Sequence, residues 1–230
     1  MNDADRKQVI ATKSDDAQIV RILFIGNSFT ARNDLPRMIR ALAGTSEPAH
    51  IIETSSIVAG GASLRRHWNG GVALKALHAE PWNFVVLQEQ STLPVKNSLR
   101  YHENVRLFAN ELAKLPARLI LYLTWSRKDS PAKQKVLDHS VETIAKEMSA
   151  DVARVGPAWH IAMQELPDIA LYVADGVHPT PAGTYLAALV FCDVLFGTLP
   201  QPGAVARTIG LGDRDAEALH RVIEFLGTIR

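Results

Sequence analysis

Short apolar runs recur along the chain, each followed by a turn signal and then by a longer amphipathic segment. The first run, Ile22 to Ile25, is apolar at four consecutive positions, the pattern of a strand that is buried on both faces. Similar runs predict strands at 51–58, 82–87, 118–124 and 152–155. Strand and helix alternate five times, which predicts an α/β fold with a five-stranded parallel sheet and helices on both faces.

The helices are predicted from apolar residues that recur with a period of three to four positions. Asp34 and Thr180 have the side chains of N-cap residues, and Pro181 suits the first turn of the helix that follows. The predicted helical segments are 35–43, 62–68, 72–78, 97–115, 131–148, 157–166, 181–196 and 213–226. Residues 1–18 are polar without an apolar core, which predicts a flexible amino-terminal arm before a single domain over 19–230.

Composition excludes several classes of function. The chain has 230 residues, 47% of them apolar, and 25 basic against 24 acidic side chains, a net charge of +1. The charges are interspersed, so no basic surface for nucleic acid is predicted. No signal peptide or membrane span is recognisable, and a cytoplasmic location is expected. One cysteine, Cys192, lies in an apolar run and is predicted to pack in the core. The oligomeric state stays open.

The first candidate for chemistry is Ser28, which follows the run Ile22 to Ile25. Open α/β sheets bind ligands beyond the carboxyl ends of their strands. A serine at that place can act as a nucleophile if a base takes its proton. Gly26, between strand and serine, is expected to permit a sharp turn through backbone angles that other residues avoid. Alone, Ser28 could equally be an ordinary turn serine.

The second candidate is the pair Asp175 and His178, far along the chain. They stand three positions apart on a turn that Gly176 and Pro179 keep out of regular helix. A carboxylate beside an imidazole fixes its tautomer and stabilises its positive charge, as the acid does in a Ser-His-Asp triad. The other histidines lack paired metal-ligand spacing, so neither a metal nor another cofactor is predicted.

These two segments together resemble the SGNH (GDSL-type) hydrolase superfamily. The resemblance lies in Gly26-Asn27-Ser28-Phe29 and in Asp175-x-x-His178-Pro179, in the same order along the chain. Asn27 stands where the superfamily usually has aspartate, a form that resembles a bacterial branch of largely unknown function. The resemblance implies a three-layer α/β/α sandwich of flavodoxin-like type, with Ser28, Asp175 and His178 as a catalytic triad.

The superfamily also supplies an expectation for the oxyanion hole. Its members use the N–H of the serine, a glycine N–H after the second strand and an asparagine side chain after the third. The corresponding positions here are Ser28, Gly61 (or its neighbour Gly60), and either Gln88 or Gln90. Side chains two apart on an extended chain point the same way, so the sequence leaves the choice of glutamine open.

The expected function is that of a serine esterase acting on a short-chain acyl ester, with an acetyl ester of a carbohydrate as one example. An acyltransferase with the same triad and a non-catalytic carbohydrate-binding domain are the alternatives. Two groups of residues follow predicted strands and could contact an anionic or sugar-like substrate: Arg65, Arg66, His67 and Trp68, and Trp125, Arg127 and Lys128. They could equally be a solvated face with packed tryptophans.

Overall fold

The computed structural model describes residues 19–228, so the predicted arm over 1–18 lies outside the described residues. The five strands form one parallel sheet in the order β2-β1-β3-β4-β5, which confirms the predicted fold class. The strands are β1 (Val20–Gly26), β2 (Ile52–Val58), β3 (Phe84–Leu87), β4 (Arg118–Leu123) and β5 (Asp151–Arg154).

The helices connect these strands and extend the chain beyond the sheet. They are α1 (Ser28–Ala31), α2 (Leu35–Ala43), α3 (Leu64–Gly70), α4 (Val72–Ala79), α5 (Leu93–Lys96), α6 (Ser98–Leu112), α7 (Gln134–Met148), α8 (Val155–Glu165), α9 (Pro181–Phe196), α10 (Ala204–Thr208) and α11 (Asp213–Thr228). Turns of 3₁₀-helix precede α2 and α7. Among residues 19–228, no helix has both the length and the apolar character needed to span a bilayer.

Most predicted elements are present with ends shifted by a few residues. The main difference follows β1, where the sequence predicts a loop up to residue 34. Helix α1 instead begins at Ser28 itself, because the side chain of Asn27 caps it by accepting the N–H of Phe29. The predicted caps of α2 and α9 are confirmed: Asp34 accepts the N–H of Arg37, and Thr180 accepts the N–H of Gly183.

The sheet is buried on both faces because alternate residues of each strand point to opposite sides. In β1, Ile22 and Phe24 belong to an apolar cluster with α2, α8, α9 and α11. Leu23 and Ile25 belong to a second cluster with α3, α4, α6 and α7. Cys192 is fully buried in the first cluster, and burial raises the pKa of its thiol to about 12. The cysteine is therefore a packing residue.

The strand order fixes where a site can form. Strand β1 lies between β2 and β3: the chain passes from β1 to β2 on one side and then crosses back to β3 on the other side. The connections diverge there, which opens a crevice at the carboxyl ends of the strands. Ser28 follows directly after β1, at the mouth of that crevice.

Candidate active site

Ser28, His178 and Asp175 form one continuous hydrogen-bonded chain. The Ser28 Oγ lies 2.9 Å from the Nε2 of His178, although the two residues are 150 positions apart. The Nδ1 of the same ring lies 2.6 Å from the Oδ2 of Asp175. A carboxylate can only accept, so Nδ1 carries the hydrogen and Nε2 is left as an acceptor for the serine hydroxyl. This is the tautomer that a general base requires.

Asp175 both builds the histidine loop and orients its ring. Its Oδ1 accepts the backbone N–H groups of Val177, at 2.8 Å, and of His178, at 2.9 Å. Gly176 between them has a positive φ of 65°, a conformation that glycine adopts without strain. The backbone N–H and the ring N–H of His178, together with the Val177 N–H, hold the pKa of Asp175 well below its ordinary value. The carboxylate therefore stays charged in mildly acidic solution.

The turn that carries Ser28 is held by a buried glutamine, not by backbone strain. Gly26 does not have a positive φ, so the expectation that glycine is needed here for unusual backbone angles is wrong. A Cβ on Gly26 would instead lie 2.6 Å from the Thr30 hydroxyl oxygen and 2.7 Å from Oε1 of Gln88. Glycine is needed at this position to leave room for the glutamine side chain.

Gln88 has a structural role in this turn. Its side chain is fully buried, and its Oε1 accepts the N–H of Asn27 at 2.8 Å and the hydroxyl of Thr30 at 3.1 Å. Its amide group donates back to the carbonyl oxygen of Glu89. Both ends of the Gln88 amide are engaged inside the protein, which favours Gln90 as the candidate oxyanion donor.

Two residues join the serine segment to the distant histidine loop. Asn33, after α1, donates its side-chain amide to the carbonyl oxygen of Pro179 and to the hydroxyl of Thr184, at 3.2 and 2.8 Å. Trp125 stacks on Phe29 with ring centroids 4.8 Å apart and donates its indole N–H to the carbonyl oxygen of Val177. Only 2% of Trp125 is exposed, so most of this tryptophan packs in the core, although it also lines a neighbouring cleft.

Several solved structures are similar to this chain in fold. A protein from Slackia heliotrinireducens described among the SGNH hydrolases is 29% identical with a TM-score of 0.66, over 77% of this chain and 100% of that one. The chain belongs to the SGNH hydrolase superfamily. A DUF4886 family protein from Bacteroides uniformis is 16% identical with a TM-score of 0.68, over 90% and 96% of the two chains.

A third similar structure is a variant of Axe2, an acetyl xylan esterase from Geobacillus stearothermophilus. It is 18% identical with a TM-score of 0.62, over 79% of this chain and 97% of that one, and it shows likeness of fold. No protein-family model and no curated protein matches the chain.

The SGNH positions for an oxyanion hole contain backbone N–H groups without partners. Within residues 19–228, the N–H groups of Ser28, Gly60 and Gly61 make no hydrogen bond to protein atoms. Gly61 has a positive φ of 62° in a turn closed by the Ala62 N–H and the Ala59 carbonyl. The Gln90 Oε1 accepts the N–H and hydroxyl of Thr92, which leaves its NH₂ group available to donate.

A buried carboxylate that the sequence did not single out connects two of these SGNH loops. One oxygen of Glu89 accepts the N–H of Leu64 at 3.0 Å and the N–H of Gln90 at 2.7 Å, and the other accepts the Asn104 amide at 2.8 Å. Leu64 begins α3, directly after the glycine turn. Burial raises the pKa of Glu89, although these hydrogen bonds oppose that effect. Glu89 thus holds the glycine and glutamine loops together.

Three of the remaining candidates from the sequence make structural contacts. Arg65 donates to Asn104, Trp68 packs edge-on against Phe108, and the buried His67 ring bonds the carbonyl oxygen of Gly26. No group of three or more metal-ligating side chains lies together in the part of the chain that the structure describes. Arg127 and Lys128 are exposed on the loop after β4.

Proposed function

We propose that this SGNH hydrolase is a serine esterase, a carboxylic ester hydrolase that acts on a short-chain acyl ester. Ser28 is the nucleophile, His178 the general base and acid, and Asp175 the residue that orients His178. The observation that carries the proposal is the unbroken path from the Ser28 hydroxyl through the ring of His178 to Asp175, at 2.9 and 2.6 Å.

The reaction begins when Ser28 Oγ attacks the ester carbonyl carbon while His178 Nε2 takes the hydroxyl proton. Asp175 stabilises the imidazolium that forms, because its carboxylate already accepts the Nδ1–H. The carbonyl oxygen becomes negatively charged in the tetrahedral intermediate. The N–H groups of Ser28 and Gly61 and the Gln90 amide are the proposed donors to that oxygen, with Gly60 as the alternative to Gly61.

The intermediate collapses when His178 gives its proton to the leaving alcohol oxygen, which breaks the ester bond and leaves an acyl group on Ser28. A water molecule then attacks the acyl carbonyl as Nε2 takes its proton. The second tetrahedral intermediate expels Ser28 Oγ, which recovers its proton from His178, and the carboxylic acid departs. The acyl group is proposed to be short, with acetyl on a carbohydrate as one example, since one fold neighbour is an acetyl xylan esterase.

Hydrolysis of 4-nitrophenyl acetate by the wild type, Ser28→Ala and Ser56→Ala tests this function. Ser56 is an exposed serine of the edge strand β2, so its variant controls for the loss of a hydroxyl group. We expect Ser28→Ala to lower kcat by at least about 100-fold and Ser56→Ala to change it little. Equal loss in both variants, or no loss in Ser28→Ala, would contradict the proposal.

The same assay separates hydrolysis from acyl transfer. An acceptor alcohol is added, and the free acid and the new ester are quantified. Hydrolysis predicts that the acid remains the main product, whereas predominant formation of the new ester would identify an acyltransferase. A non-catalytic carbohydrate-binding domain would release no nitrophenol above the uncatalysed rate.

A further inference from the structure

A cleft of about 230 Å³ lies beside the candidate triad. Its lining includes Phe29, Ser91 and Val177, which are the immediate neighbours in sequence of Ser28, Gln90 and His178. The Phe29 ring lies 5.6 Å from the His178 ring, centroid to centroid. The cleft is therefore built from the same three loops as the site. It is smaller than the roughly 300–1,000 Å³ of pockets for drug-sized ligands, which suits a short group.

The cleft has an apolar floor and a basic rim. Phe29, Val95, Leu137 and Val177 contribute apolar side chains to the lining. Three cations also line it, and they come from separate elements: Lys96 from the end of α5, Arg127 from the loop after β4, and Lys133 from the turn before α7. Asp129 is the one carboxylate in the same lining, so the cleft has an excess of two positive charges.

These charges form no ion pairs with other described residues, although Asp129 accepts a hydrogen bond from the Ser130 hydroxyl. Within residues 19–228, none of the four side chains belongs to an ion pair. Five arginines elsewhere on the surface form ion pairs with carboxylates at 2.6 to 2.9 Å: Arg21, Arg106, Arg118, Arg154 and Arg207. Other described cations, Lys128 among them, are also outside any ion pair, so the distinguishing feature of the cleft is that three such cations line one cavity. Cations that line one cleft without ion-pair partners raise the local concentration of anions and favour an anionic ligand.

We infer that this cleft binds a carboxylate carried by the substrate, so that the preferred ester is anionic, with a short apolar spacer between the carboxylate and the ester bond. The inference rests on the proposed esterase function and narrows its substrate class. The apolar floor takes the spacer, and Lys96, Arg127 and Lys133 surround the charged end. The carboxylate could belong to the acyl part, as in a half-ester of a dicarboxylic acid, or to the alcohol part, as in an acetylated sugar acid.

Matched pairs of esters test the charge preference and distinguish its two sources. The alcohol side is probed with 4-acetoxybenzoate and its neutral methyl ester. The acyl side is probed with monophenyl adipate and its neutral methyl ester, with the uncatalysed rate subtracted. For each pair, the ratio of kcat/KM for the anionic ester to that for the neutral ester is measured. We expect a ratio above one for either the alcohol-side pair or the acyl-side pair, and that result identifies which part of the ester enters the cleft. The ratio should fall as added salt screens the charges.

The double variant Lys96→Gln/Lys133→Gln tests which residues produce the preference. Contacts between exposed charges are individually weak, so loss of two of them is expected to lower the ratio by about 2- to 30-fold. Lys128→Gln is the matched control, because this neighbouring cation is absent from the lining and should leave the ratio unchanged. An equal fall in the control would show a general charge effect and overturn the assignment.

Failure of this inference is distinguishable from failure of the esterase proposal. Hydrolysis of the neutral esters by a Ser28-dependent reaction, with ratios at or below one in both pairs, would overturn the anionic substrate and leave the esterase intact. Ratios that the double variant does not change would also overturn it. Absence of Ser28-dependent hydrolysis of any of the esters would overturn both.

Discussion

Replacing Gln88 by leucine is expected to destabilise the fold, because this side chain supports the turn that carries Ser28. Leucine has a similar size but no acceptor, so the variant leaves the Asn27 N–H and the Thr30 hydroxyl without their shared partner. Each buried donor without a partner costs about 1–3 kcal/mol. The sum is about 2–6 kcal/mol, and the lower half of that range is expected because the Thr30 hydroxyl can rotate towards another acceptor.

Urea unfolding followed by tryptophan fluorescence measures this loss, and Gln90→Glu is the matched comparison. Glutamate keeps the oxygen that accepts from Thr92 but has no NH₂ group, so the free energy of unfolding should change by less than about 1 kcal/mol. Because Gln90 is a proposed oxyanion donor, its replacement in Gln90→Glu should lower kcat by at least about 100-fold. Unfolding of Gln88→Leu at the same urea concentration as the wild type would refute the structural role of Gln88. Full activity in Gln90→Glu would refute the role of Gln90 as an oxyanion donor.

Three further predictions follow from the hydrogen bonds around the site. Asp175→Asn should lower kcat by about 10³- to 10⁴-fold in steady-state assays, because an amide that donates to Nδ1 of His178 favours the wrong tautomer; unchanged kcat would contradict the role of Asp175. Because burial raises the pKa of Glu89, folded protein keeps a proton that unfolded protein releases above about pH 4.3. The free energy of unfolding of the wild type, compared with that of Glu89→Gln in urea at several pH values, should therefore fall as the pH rises from that value through the pKa of Glu89 in the folded protein. A difference between the two proteins that stays constant with pH would contradict this prediction. Gly26→Ala should cost about 1–3 kcal/mol in urea unfolding, since the new methyl group displaces Gln88; a wild-type midpoint would contradict the close packing.

The sheet could be predicted from the sequence because its signal is local. The apolar run Ile22 to Ile25 has no polar side, and the structure accordingly sends its residues alternately into the two apolar clusters. The start of α1 at Ser28 was missed, although Asn27 is a suitable N-cap residue. Its signal is weak because the helix has only four residues.

The choice between Gln88 and Gln90 could not be made from local rules. The two-residue period of an extended chain places both on one side, but β3 ends at Leu87 and that period does not continue. Gln88 then turns inward to partners about sixty positions away in the sequence. The roles of Asn33 and Trp125 are equally hidden, because their partners lie in the histidine loop and no local pattern marks such distant contacts.

Labelling with a fluorophosphonate, followed by intact mass and peptide mapping, tests the central claim most directly. This probe reacts with a serine only when a base activates it, so it reports the Ser28–His178 pair without requiring a known substrate. The account predicts one adduct on Ser28 in the wild type, absent in Ser28→Ala and strongly slowed in His178→Ala. An unlabelled wild-type protein, or an adduct on another serine that persists in Ser28→Ala, would contradict it.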